Sequence, residues 1–271
     1  MNLKLFRELF INIFFDIKKL IKKNLFGGQL IFKSKKQNKD KKLIELNEKG
    51  VLKLKWHTIF KEDINSSYLF KKIKKQANRL FDYEVDANSR EKGNYVIYGS
   101  SVLEHNPDPY LLALGNSRYL LSLVSRYFEC PCFLYSADYW LHKPYKKSER
   151  ISSQNWHRDP ESKKMIKLFL IIKKVTISNG PTEFVKASHK TSNHFYLRNI
   201  FRNQTNTPKS FSQEKFFDNQ ANVFKAIGEE GEVVLMDTSG FHRGGFCEED
   251  RLIASITYIP CKYSDGNPSW E

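Results

Sequence analysis

The chain has 271 residues, 40% of them hydrophobic and 14% aromatic, enough to bury a full core, so one catalytic-sized domain with extensions is expected. Its formal net charge of +15 would suit nucleic acid, an anionic membrane face or an anionic substrate, but the basic residues are scattered rather than gathered in a stripe with interleaved aromatics, which argues against a nucleic-acid partner. The four cysteines exclude a zinc knuckle, because Cys130-Pro131-Cys132 lacks the two-residue gap and Cys247 and Cys261 form no second pair; free thiols and, with no cleavable signal segment, a cytoplasmic location are expected.

Residues 1–26 place Leu3, Phe6, Phe10, Ile13, Ile17 and Leu20 at helical spacing, with Lys18, Lys19, Lys22 and Lys23 crowding the end. This predicts an amphipathic helix. Its charged residues interrupt the apolar run well short of a membrane span, leaving two uses: docking on the domain's own core, or peripheral contact with an anionic membrane surface. Gly27-Gly28 ends the helix and a basic linker runs to residue 42, so residues 1–42 form one unit and residues 43–271 a single domain.

Within that domain, residues 43–130 read as helical support. Ile64, Leu69, Ile73, Ala77 and Leu80 fall at helical intervals over 63–81, and a second helix is predicted over 109–128 with Pro109 in its first turn. Tyr95-Val96-Ile97-Tyr98 is a short strand between them. From residue 131 to 262 the texture becomes strand-like, with runs at 133–141, 165–172, 182–185, 231–237 and 251–259 separated by turns. Short strands without intervening crossover helices indicate a sandwich or jelly roll. The polar segment 191–227 interrupts this rhythm as an insertion, and such insertions often cover an active site and open without substrate.

The stretch that carries chemistry is His157-Arg158-Asp159. An imidazole and a carboxylate two residues apart on a strand share a face and can turn toward one cation. A lone His-x-Asp is more often a surface turn, so context decides. A kinase catalytic loop is ruled out, because Pro160 follows the aspartate, Lys164 stands where the metal-binding asparagine would be, and the glycine-rich loop and Asp-Phe-Gly are missing. With His242 as a third ligand, the set becomes the two-histidine, one-carboxylate arrangement of non-haem Fe(II) oxygenases.

Three segments, in order over roughly residues 132–260, resemble the phytanoyl-CoA dioxygenase family of Fe(II)- and 2-oxoglutarate-dependent oxygenases. Asn155-Trp156-His157-Arg158-Asp159 resembles its first metal motif. Residues 179–190, Asn179-Gly180-Pro181 through Ser188-His189-Lys190, resemble its "NGP-x-x-x-x-P-G-S-H" segment, with Lys186-Ala187 in place of Pro-Gly. That departure implies a changed loop shape rather than a lost ligand. Asp237 to Gly245, followed by Arg251, resembles the segment with the last ligand and the co-substrate arginine.

The resemblance implies a mainly β, double-stranded β-helix (jelly-roll) fold with N-terminal helices. It implies His157, Asp159 and His242 as iron ligands and Arg251 as the cation that pairs with the distal carboxylate of 2-oxoglutarate, with no further catalytic side chain assigned. Arg243 competes for that role but follows His242 directly, so on a strand it would face away. Ile253 and Ser255, on the face of Arg251, would close the pocket floor. His189 suits a loop or supporting role, His57 and His105 structural ones, and His142 and His194 show no pattern. The implied reaction consumes O₂ and 2-oxoglutarate, releases succinate and CO₂, and hydroxylates an unactivated C–H bond of a small-molecule substrate; the related halogenases lack the carboxylate ligand that Asp159 supplies. The alternative is a non-catalytic jelly-roll module that binds a metal or ligand, or a membrane-peripheral protein.

Overall fold

The computed structural model describes residues 40–60, 66–84, 95–104, 107–144, 150, 152–159, 161–162, 164–190, 222–264 and 267–269. The predicted helix at 1–26, the linker to residue 39, His105, His194 and residues 191–221 of the insertion lie outside them. Among the described residues no helix is long and apolar enough to cross a membrane.

The first element, α1 (Lys41–Lys49), starts ahead of the expected boundary at Leu43. Asp40 caps it by accepting from the backbone N–H groups of Lys42 and Leu43, and Gly50 ends it in the left-handed region at φ 73°. Then come β1 (Val51–Lys55), α2 (Trp56–Phe60) and α3 (Ser66–Asn78), the last passing into a 3₁₀ turn at Arg79–Asp82. β2 (Val96–Tyr98) and a short α4 (Gly99–Val102) follow.

The single helix expected over 109–128 is two, α5 (Pro109–Gly115) and α6 (Arg118–Phe128). Local hydrogen bonding causes the break. The Asn116 side chain turns back to donate to the Leu112 carbonyl, and the Ser117 hydroxyl accepts from Leu120 N–H as the cap of the new helix. Gly115 lets the corner pack closely on β3, since a Cβ there would fall 2.4 Å from Leu134 Cδ1 and push that side chain aside.

The strands are β3 (Cys132–His142), β4 (Ile166–Ile171), β5 (Glu183–Val185), β6 (Val223–Lys225), β7 (Glu232–Met236), β8 (His242–Arg243) and β9 (Arg251–Pro260), with a terminal hairpin β10 (Lys262–Ser264) and β11 (Asn267–Ser269). They form an antiparallel six-stranded sheet, ordered β1-β7-β4-β9-β3-β2, and a three-stranded sheet, β6-β5-β8. β1 was not anticipated, and neither was β6: the end of the segment read as an insertion is an edge strand of the smaller sheet. All four cysteines are free thiols.

Alternation along the strands splits the large sheet into two faces. Leu168 and Leu170 of β4, Val233 and Leu235 of β7, and Leu252, Ala254, Ile256 and Tyr258 of β9 join the helices in one apolar core with Leu43, Leu46, Ile73, Leu111, Leu120 and Val124. The intervening residues Phe169, Ile171, Val234, Met236 and Ile253 form a second cluster with Phe184 of the smaller sheet. On this inner face lie the buried polar residues Arg251, Ser255, Thr257 and His142.

Candidate metal centre and co-substrate pocket

Three pieces of chain far apart in sequence are joined at the site by backbone hydrogen bonds. His157 and His242 form an antiparallel bridge, each N–H donating to the other's carbonyl at 3.0 Å, and the Asp159 N–H donates to the Thr238 carbonyl at 3.0 Å. The middle segment locks against the last. Gly180 adopts φ 61° and a Cβ there would meet the Phe246 carbonyl at 2.3 Å, while one at Gly245 would meet Gly180 at 2.7 Å. Only glycine permits both the backbone conformation and this approach. Ser188 adds a tie by accepting from the Phe241 N–H at 2.8 Å, next to the second histidine.

A buried turn presents that histidine. Asp237 Oδ1 accepts from the Ser239 N–H and hydroxyl at 3.0 and 2.6 Å, and its Oδ2 accepts from the Tyr127 hydroxyl of α6. Burial and the Asp237 carboxylate raise the Tyr127 phenol far above its ordinary range, so it stays a donor.

The ligating atoms of His157, Asp159 and His242 lie within 4.8 Å of one another, and His242 Nε2 is 3.4 Å from Asp159 Oδ2. Both imidazoles are aimed by the same device. His157 Nδ1 is 2.8 Å from the Asn155 carbonyl and His242 Nδ1 3.1 Å from the Gly240 carbonyl. A carbonyl can only accept, so each Nδ1 carries a proton, which leaves each Nε2 as the nitrogen available to a metal.

Electrostatics match. Burial, then His242, brings His157 down to about 4, which keeps it neutral near pH 7. Burial opposes ionisation of Asp159, but His242 and Lys167 outweigh it and hold the carboxyl well below the usual carboxylate range. Two imidazoles and one carboxylate are the donor set that suits a ferrous ion. Lys167, which sequence reading passed over, lies with Nζ 2.7 Å from Asp159 Oδ2; its only signal was a single charge inside an apolar strand run.

The two arginines differ sharply. Arg243 pairs with Glu183, Nε to Oε2 at 2.6 Å, and lies 4.3 Å over the Trp156 ring. Arg251 is 3% exposed, and its Nε and Nη1 have no hydrogen-bond partner. Burial lowers its pKa, with Cys247 and Tyr95 pushing back, yet a guanidinium keeps its proton in proteins. A buried cation with two open donors is costly unless an anion is meant to meet it. Beside it His142, paired in register with Arg251, is buried, has an unpartnered Nδ1, and is held neutral by burial and the guanidinium. Asn179 fixes the strand start by donating to the Asp250 carbonyl at 2.8 Å. Ile253 and Ser255 are buried on the same face, as expected.

His189 is away from this cluster: its Nε2 meets the Asn47 carbonyl at 3.1 Å and its ring packs on Gly50 at the end of α1. His57 lies on α2.

Comparison with known proteins agrees with this geometry. The profile of the family described as phytanoyl-CoA dioxygenase (PhyH) matches residues 55–246. No curated protein matches the chain. Among solved structures, EctD from S. alaskensis with 2-oxoglutarate and 5-hydroxyectoine is similar at a TM-score of 0.57 and 17% identity, over 85% of this chain and 80% of that one. SnoK, a non-heme alpha ketoglutarate dependent carbocyclase from nogalamycin biosynthesis, gives 0.55 and 12% over 86% and 94%. HygX from Streptomyces hygroscopicus with nickel, 2-oxoglutarate and hygromycin B gives 0.52 and 14% over 83% and 88%. At these identities the likeness establishes the fold, an open jelly roll.

Proposed function

The chain belongs to the phytanoyl-CoA dioxygenase family, and on that footing we propose that it is an Fe(II)- and 2-oxoglutarate-dependent dioxygenase that hydroxylates a small-molecule substrate. The observation that carries the reading is the convergence of three ligating atoms within 4.8 Å, with both Nδ1 atoms tied to carbonyls. His157, Asp159 and His242 would hold the ion. When bound, iron with 2-oxoglutarate and O₂ supplies the oxidising power for an unactivated C–H bond, with succinate and CO₂ as co-products.

The remaining work falls to side chains of this protein. Arg251 would anchor the distal carboxylate of 2-oxoglutarate through its open Nε and Nη1, a charge-assisted and planar fit. The neutral His142 offers a second polar contact at that end. Trp140 and Phe169, whose rings lie 6.1 Å apart on the inner face, would keep water from the co-substrate. Similar folds are described as serving other outcomes, the carbocyclase among them; the carboxylate ligand Asp159 argues against halogenation, and hydroxylation is proposed as the default outcome of this chemistry.

The test is metal content. The purified protein should bind one Fe(II) per chain and lose it in each of His157→Ala, Asp159→Ala and His242→Ala; iron content equal to the parent in all three variants would contradict the assignment. Succinate formation with Fe(II) and 2-oxoglutarate, run against a metabolite panel, would then identify the substrate.

A further inference from the structure

A cation lies inside the site that the proposed chemistry does not use. Lys167 projects from β4 on the inner face, paired in register with Met236 and Thr257, and its side chain is only 12% exposed. Its ammonium approaches Asp159 Oδ2 to 2.7 Å. The same oxygen is 3.4 Å from His242 Nε2, so the ammonium touches the carboxylate on the side that faces the second histidine. A second acceptor is within reach, since Glu161 Oε1 lies 4.0 Å from the same Nζ, on a side chain 30% exposed and two residues from Asp159.

We propose that Lys167 competes with the metal for Asp159, and that Glu161 receives the ammonium when metal binds, so that this pair sets how tightly the site holds its ion. The inference rests on the metal-centre reading above. A divalent cation bonded to the Asp159 carboxylate sits beside the ammonium, and burial leaves little water to screen the two like charges. Rotation about the last bonds of the lysine is enough to exchange one carboxylate for the other. The stem stays fixed between β7 and β9, so the charge moves without the strand moving. Glu161, being more exposed, takes the ammonium toward solvent, where repulsion with the metal is weaker.

A lysine that only oriented Asp159 would act oppositely, because loss of a partner that supports a ligand weakens metal binding by about 10–100-fold. The test uses the full-length protein. Fe(II), and separately Co(II), would be titrated anaerobically by calorimetry into the parent, Lys167→Met and Glu161→Gln, with thermal unfolding of the metal-free and metal-loaded forms. Lys167→Met should tighten both metals by about tenfold or more, by the same scale of outer-ligand effects, and lower the unfolding temperature of the metal-free protein, because Asp159 loses its counter-charge. Glu161→Gln should weaken both metals several-fold. Lys167→Gln should rank with Lys167→Met and substitutes for it if the methionine variant folds poorly. Metal affinity in the Lys167 variants equal to or below the parent's would overturn this inference while leaving the metal centre standing. No metal binding by the parent or any variant would overturn the metal-centre reading, and this inference with it.

Discussion

The two faces of the large sheet are built from the same strands and differ in almost everything else. On the helix side, Leu168, Leu170, Val233, Leu235, Ala254 and Ile256 are fully buried, with only apolar groups to satisfy. One residue along each strand, the inner face carries Lys167, Arg251, His142, Ser255 and Thr257 among its apolar residues. The helix face can be understood by area removed from water. The inner face holds buried polar atoms without hydrogen-bond partners at Arg251 and His142, which a polar ligand would satisfy. Within the inner layer the contrast repeats between the arginines: Arg243 is ion-paired with Glu183 and lies over Trp156, while Arg251 has no acidic partner among the described residues and leaves both Nε and Nη1 open. The helix face thus serves stability alone, while the inner face mixes apolar packing with the polar groups proposed to bind ligands, and a substitution should reveal which it touches.

The largest expected loss of stability comes from breaking the pair of Arg243 with Glu183. Glu183→Ala strands the Arg243 guanidinium, whose side chain is 5% exposed, and should cost about 3–5 kcal/mol by chemical denaturation. Burial works against the Glu183 charge, but Arg243 and Lys225 hold its pKa below the ordinary value. With the folded pKa depressed, this contribution is present above the unfolded glutamate pKa of about 4.3 and is lost as pH falls through the lower folded value. The Glu183→Ala deficit should therefore shrink in acid, and a deficit constant from neutral pH to well below 4 would show that the pair does not carry it.

Next is Leu168→Ala on the dry face, which should cost roughly 2–5 kcal/mol through lost burial and a cavity while metal and co-substrate affinities of the folded fraction stay at parental values. A specific loss of 2-oxoglutarate affinity would contradict the separation of the faces. Asp40→Ala removes a helix cap over the same face and should cost about 1 kcal/mol, again without effect on binding. Smallest in stability is Arg251→Ala: it removes a buried charge that has no partner at Nε and Nη1, so unfolding should be unchanged or slightly harder.

How much of this the sequence discloses follows from what each feature depends on. β3, β4, β7 and β9 were legible because buried strands write long apolar runs, and the candidate metal set because His157, Asp159 and His242, which the fold brings together, sit in recognisable segments with Gly180 and Gly245 where backbones must touch. β1 was not, because Val-Leu-Lys-Leu-Lys is short and continues a basic stretch. The break at Asn116-Ser117 depends on side chains bonding their own backbone, which helical periodicity does not register. Commitments across distance were also hidden: Glu183 to Arg243 spans 60 positions, and Lys167 reaches Asp159 only because β4 packs beside the turn after β7. The face rule set Arg243 apart from the ligand histidine, whereas the ion pair to Glu183 that occupies it could not be read from the sequence.

The central claim is that the open arginine and the three ligands form one pocket for 2-oxoglutarate, and anaerobic titration of 2-oxoglutarate into the Fe(II) protein tests it most directly. One equivalent should bind. Arg251→Ala should keep its iron but bind 2-oxoglutarate about 10- to 100-fold more weakly, since hydrogen bonds to charged groups contribute roughly 1.5–3 kcal/mol and each 1.4 kcal/mol is about a factor of ten, whereas Arg243→Ala, once corrected for its folded fraction, should change the affinity far less. Parental affinity in Arg251→Ala, or no binding by the iron-loaded parent, would contradict the account.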